Sequence, residues 1–158
     1  MGLKEVKDYF KDFGMEDRII INSHSSATVA LAAAALGVEG KRIAKTLAFT
    51  NYDKPLLIVV AGDAKIDNRK YKDKFVKKAK MMNAEELALY TGHEPGGVCP
   101  FALKDQTCKV YLDKSLQRFE TVFPACGSMD SAIELTIPEL EKFSHFVEWV
   151  DVTKDWEK

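Results

Sequence analysis

The sequence is poor in the residues that usually announce a mechanism. Its 158 residues include three cysteines, Cys99, Cys108 and Cys126, an odd number without C-x-x-C spacing. That pattern excludes a disulfide framework and offers no thiolate zinc site. The three histidines, His24, His93 and His145, are scattered without ligand spacing, so neither a metal nor another cofactor is expected. Long apolar runs are missing too. The longest weakly polar stretch, residues 28–36, is alanine-rich and too short to cross a bilayer. The first residues, MGLKEVKDYFKDFG, carry mixed charges rather than a basic-then-apolar leader, and Val6 stands where a myristoylation signal wants Ser or Thr. A cytoplasmic protein with no membrane partner is the expectation. Nor is there an excess of one charge: 23 basic and 24 acidic residues leave a net −1, which argues against a protein that coats nucleic acid.

What is present suits a single domain over residues 1–158. A 46% hydrophobic share with 30% charged residues is enough for one sizeable core. The charge is unevenly spread. Between Lys65 and Lys80 eight basic residues face only Asp67 and Asp73, a local excess of six positive charges. This is either a solvated helix face or a landing patch for a phosphate backbone, with Lys41, Arg42, Lys65, Arg69 and Lys70 the candidate contacts.

Periodicity supplies the elements. Leu3, Val6, Phe10 and Phe13 recur at helical spacing before Gly14, and Ile19 to Ile21 reads as a short buried strand. Ser23-His24-Ser25-Ser26 offers caps for an alanine-rich helix from Thr28 to Leu36, small enough in its side chains to press on a sheet and stopped by Gly37. Ile43 to Thr50 alternates as a strand, Tyr52 to Pro55 reads as a turn, and Leu56 to Ala61 is apolar on both faces like a central strand. The basic segment predicts a helix over about Asn68 to Phe75. Asn83 with Glu86, and Thr136 with Glu139, predict capping boxes for two further helices. Strands are expected at Lys109 to Leu112, Thr121 to Phe123, Ala132 to Leu135 and Phe146 to Val150. The interleaving predicts an α/β fold, a mixed sheet flanked by helices.

Few residues stand out chemically. Lys45 shares the bulky face of its strand with Ile43 and Leu47, so its ammonium either snorkels to solvent or enters a cleft. The loop Gly92-His93-Glu94-Pro95-Gly96-Gly97-Val98-Cys99-Pro100-Phe101 is either a tight connection or a place where backbone N–H groups meet an oxyanion. The Gly127-Ser128 turn repeats that choice. His93 and Glu94 are a candidate acid/base pair, although neighbours in sequence usually point apart. Cys99 with His24 as its base lacks any cysteine-hydrolase signature. With no side-chain triad, hydrolysis would rest on positioning and electrostatics.

Four motifs in order, Gly40-Lys41-Arg42-Ile43-Ala44-Lys45-Thr46-Leu47, Ala61-Gly62-Asp63, the Gly92 to Phe101 loop, and Gly127-Ser128-Met129-Asp130-Ser131-Ala132-Ile133-Glu134-Leu135, resemble the YbaK family. That family is related to the editing domain inserted in bacterial prolyl-tRNA synthetases. The resemblance implies a curved, partly barrel-like mixed sheet surrounded by helices. It implies a deacylase acting in trans on mischarged tRNA, with Cys-tRNA(Pro) and Ala-tRNA(Pro) the leading substrates and prolyl-tRNA synthetase a candidate partner. The family's functional lysine falls on Lys45. Its substrate-binding loops fall on Gly92, Pro95, Gly96, Gly97, Val98 and Cys99, and on Gly127, Ser128 and Asp130. Cys99 stands where members often carry Ser or Thr, and Asp130 where they often carry Asn, so no substrate is carried over. Two other classes compete: a module that binds aminoacyl or nucleotide groups, or docks on a synthetase, without turnover; and a thiol-dependent hydrolase of another small ester.

Overall fold

Central to the molecule is a strand with no polar side chain between Leu56 and Ala61, where residues 57–61 are wholly buried. A segment apolar on both faces must be covered on both, and the fold is arranged around that need. The computed structural model describes residues 2–22, 28–51 and 54–156, the side chains at 51 and 54 excepted. Five α-helices are described: α1 (Leu3–Lys11), α2 (Val29–Leu36), α3 (Asn68–Phe75), α4 (Ala84–Tyr90) and α5 (Ile137–Ser144).

The main sheet has six strands. These are β2 (Ile43–Asn51), β3 (Lys54–Ala61), β5 (Lys109–Asp113), β6 (Thr121–Pro124), β8 (Leu135–Thr136) and β9 (Trp149–Val150). Their order across the sheet is β8-β6-β2-β3-β5-β9. The β2–β3 and β6–β8 pairs are antiparallel, and the β2–β6, β3–β5 and β5–β9 pairs are parallel. The sheet is therefore mixed, and it curls into a half-barrel. Two short antiparallel pairs stand outside it: β1 (Ile19–Ile21) with β7 (Ser131–Ile133), and β4 (Lys65–Ile66) with β10 (Thr153–Lys154).

Local signals place the helices well. Asn83 and Glu86 exchange side-chain-to-backbone bonds at the start of α4, and Thr136 and Glu139 do the same for α5. Thr28 caps α2 by accepting from Leu31 N–H, and Gly37 closes it in the left-handed conformation. The serines proposed as caps, Ser23, Ser25 and Ser26, lie outside the described residues, as do Tyr52 and Asp53 of the expected turn. Lys54 and Pro55 already belong to β3.

Two expectations need correction. Ile19 to Ile21 is a strand but not a buried one: Ile20 is 39% and Ile21 49% exposed, because the strand pairs only with β7 at the periphery. The run Ala132 to Leu135 is not one strand. It breaks at Glu134, with β7 serving the small sheet and β8 the large one. Helix α2 presses on the sheet as expected, through Ala33, which is buried against Ile43 and Phe123, while Leu31 is half exposed. Val29, Ala32 and Leu36 pack around the same contact, and α2 forms a wall beside β2.

Candidate functional site

That wall encloses a cavity of about 310 Å³ over the middle of β2. Val29, Ala32 and Leu36 of α2 form one side, and Met81, Met82 and Leu87 form another. Pro95, Gly96 and Val98 close it from the loop, and Phe123, Ala125, Ser131 and Ala132 from the β6–β7 region. The floor is β2 itself, from Ile43 to Ala48. It is a mostly apolar concavity with few polar groups, the usual character of a small-ligand site.

Lys45 is the charged residue of that lining, and it is half-buried. Burial pushes its ammonium below the ordinary lysine value; the Asp63 carboxylate opposes that shift and the Lys65 charge adds to it. Asp63 is itself fixed by Arg118, whose guanidinium approaches its two oxygens at 2.6 and 3.0 Å and lies over the rings of Phe119 and Trp156. The alternation that put Lys45 on the bulky face thus sends it into a cleft.

The two glycine loops meet beside the cavity and are bound to each other. Gly127 N–H donates to Gly97 C=O at 2.9 Å, and Gly97 N–H donates to Glu94 C=O at 2.9 Å. The Glu94 carboxylate accepts from Met129 N–H at 2.8 Å. Ser128 N–H points to Ser131 Oγ at 3.4 Å, and its hydroxyl donates to Asp130 Oδ1 at 2.6 Å. A Cβ on Gly97 would come within 2.5 Å of the Ser128 backbone. Gly127 adopts φ +94° and packs directly on Gly2, so that a Cβ there would strike the Gly2 backbone. These glycines are needed for chain-to-chain packing. The N–H groups of Gly97, Gly127 and Ser128 are already engaged, which leaves none of the three to face a ligand.

A family model described as the aminoacyl-tRNA editing domain matches residues 24–143. The chain belongs to that family. The uncharacterized protein YwhH of Bacillus subtilis (strain 168) is 52% identical over 158 residues, covering 99% of this chain and all of that protein. Among solved structures, the hypothetical protein APE2540 is 28% identical with a TM-score of 0.82, covering 95% of this chain and 99% of its own. A proposed trans-editing enzyme for prolyl tRNA synthetase shares the fold at 24% identity and a TM-score of 0.86, covering 97% of each chain.

Within this editing domain the expected site residues divide. Lys45, Pro95, Gly96 and Val98 line the cavity; Gly92, Gly97, Cys99, Gly127, Ser128 and Asp130 stand behind it as supports. Cys99 and Cys126 are fully buried, and burial pushes the Cys99 thiol up to about 12 and Cys126 well above its usual value. Neither lines the cavity, and both are protonated at neutral pH. His24 lies outside the described residues. His93 is buried, its Nε2–H donating to Phe101 C=O at 2.7 Å, while Glu94 faces the Met129 backbone. The two do not work as a pair.

The basic residues also divide. Arg42 is held by Thr121 and by Glu134 at 3.1 Å, over the Phe123 ring. Lys41 lies 3.5 Å from Glu39. Lys70 reaches Asp151 and the Thr153 carbonyl, and Lys74 pairs with Glu148 at 2.7 Å. Lys65 and Arg69 are exposed. A second, larger cleft of about 700 Å³ lies where Lys77, Lys78 and Lys80, at the end of the basic segment, meet Thr50, Glu86 and Tyr90. It adjoins the first along α4 and through Met81. Among the described residues, no helix is long and apolar enough to cross a membrane.

Proposed function

We propose that the chain is a deacylase that hydrolyses the ester between a mischarged amino acid and the terminal adenosine of tRNA. The observation that carries this reading is Lys45: a half-buried ammonium at the floor of an apolar cavity, in a chain of the editing family. An aminoacyl ester is already activated, so positioning and charge stabilisation are enough to accelerate its hydrolysis. Lys45 holds the terminal ribose or the ester, and its charge stabilises the oxyanion as it develops.

The cavity's modest volume and apolar walls favour a small side chain, which agrees with cysteine or alanine carried on tRNA(Pro). The lysine-lined cleft next to it suits the phosphates of the single-stranded acceptor end, with Tyr90 offering a ring for a base. Lys65 and Arg69 extend this positive surface, and Lys41, Arg42 and Lys70 contribute field more than contact. The resemblance to a proposed trans-editing enzyme makes prolyl-tRNA synthetase the candidate partner. Attack comes from water, a ribose hydroxyl or, for cysteine, the substrate's own thiol.

The test is deacylation of Cys-, Ala- and Ser-charged tRNA(Pro) by wild type and Lys45→Ala. Wild type should shorten the ester half-life for at least one of these, and the variant should be slower by roughly 100-fold or more. Equal rates for the two proteins would overturn the assignment.

A further inference from the structure

We infer that β2 reads the aminoacyl group as a one-residue β-strand, through the peptide N–H and C=O of Thr46. The inference rests on the proposed function for the identity of the ligand, and on the edge of β2 for its geometry. In an antiparallel pair, successive residues point their N–H and C=O alternately toward and away from the partner strand. Met82 N–H donates to Ala48 C=O at 3.0 Å and Thr50 N–H donates to Lys80 C=O at 3.0 Å. Even-numbered residues of β2 therefore face away from β3.

On that outer edge, β6 pairs with β2 only as far as Ala44, opposite Pro124. The Met81–Met82 segment takes over at Ala48 and Phe49. Thr46 lies in the gap between them. Its peptide N–H and C=O have no partner among the described residues, and Thr46 lines the cavity beside Lys45. The Thr46 hydroxyl is buried and also unpartnered.

A residue facing a hydrogen-bonded position exchanges two bonds with it, one donated and one accepted. An α-aminoacyl ester carries those two groups at that spacing: an ammonium to donate to Thr46 C=O and an ester carbonyl to accept from Thr46 N–H. The gap is one residue wide, so it takes an amino acid and not a peptide. It also places the ester carbonyl next to the Lys45 ammonium.

The experiment uses the ¹⁵N-labelled full chain and non-hydrolysable 3′-aminoacylamido-adenosines carrying L-alanyl, L-cysteinyl or L-seryl groups. Each is compared with its partner lacking the α-amino group, such as the propionyl compound for alanyl. At least one aminoacyl compound should bind saturably, shift the Thr46 amide resonance and slow its hydrogen exchange. Loss of the amino group should weaken binding on the order of 10- to 100-fold, as removal of a charged hydrogen bond does. Equal binding of the paired compounds, an unmoved Thr46 amide, or no saturable binding by any of them would overturn the inference. Binding at Thr46 by a protein that leaves every charged tRNA intact would instead remove the deacylase reading alone.

Discussion

Two stretches of backbone border the cavity, and they treat their polar groups in opposite ways. In the clasp formed by residues 94–97 and 127–131, the N–H groups of Gly97, Gly127, Ser128, Met129 and Ser131 are all bonded within the clasp, to backbone carbonyls and to the side chains of Glu94 and Ser131. In the Lys45–Thr46 strip, a hydroxyl and a peptide unit stand without described partners beside the half-buried Lys45 ammonium. Buried groups left unpaired cost stability, and a fold keeps them where something else arrives to pair them. The clasp is thus built to hold a shape, and the strip is built to be completed. Variants in the two should differ in kind: stability lost from the clasp, activity lost from the strip.

Lys45→Ala and Gly97→Ala should show the largest effects, and should show them in different measurements. Lys45→Ala removes a half-buried charge, so its melting temperature should stay level or rise while deacylation falls by the roughly 100-fold given above, or about 2.7 kcal/mol of transition-state stabilisation. Gly97→Ala must move the Ser128 backbone. A cost of about 1–3 kcal/mol in unfolding free energy is expected, measured by denaturant titration. If Gly97→Ala keeps full stability and loses only activity, the clasp is part of the reacting site and the contrast fails.

Glu94→Gln is a milder probe of the clasp. It keeps an acceptor for Met129 N–H but removes the charge that strengthens the bond. The expected loss is about 0.5–1.5 kcal/mol in stability, with KM and kcat changed less than twofold by Lys45-dependent assays.

How much of this was legible in the sequence depends on range. The capping boxes at Asn83 and Thr136, the basic helix and the β3 core strand are encoded within a few residues, and all appear as read. The β1–β7 and β4–β10 pairs are two or three residues long and are defined only by partners distant in sequence, so no local pattern reveals them. Lys45 was visible because a charge on an apolar face is conspicuous. Thr46 was not. Its significance comes from where β6 stops and where Met81 begins, neither of which is written near residue 46. The glycine motifs were visible, but their reason was not: Gly97 is small because of Ser128, 31 positions on.

His93 gives the clasp a pH dependence. Burial lowers its pKa from the ordinary 6.5, while its bond to the Phe101 carbonyl works the other way. Its Nδ1 has no described partner. In the unfolded chain the imidazole takes up a proton as pH falls below about 6.5. The folded chain resists that until lower pH. Between those two values the unfolded state binds more protons, so stability should fall as pH falls through this window. Unfolding titrations at pH 7.5 and 5.5 should show the decline, and His93→Gln should show a smaller one. An equal decline in the variant would assign the effect to other groups.

The smallest effect, and the sharpest for the contrast, is expected from Thr46→Val. The substitution is close to isosteric and leaves both peptide groups in place. In the free protein the hydroxyl is buried and unsatisfied, so its removal should leave stability unchanged or raise it by up to about 1 kcal/mol. Deacylation should stay within about twofold of wild type, because the aminoacyl group is read by the peptide N–H and C=O that the substitution leaves in place, and Thr46→Ser should match it. A stabilised but slower protein would show that the hydroxyl, and not the peptide unit alone, trades stability for binding. A variant that is destabilised without any change in rate would place Thr46 with the clasp, as a group whose partner belongs to the folded protein.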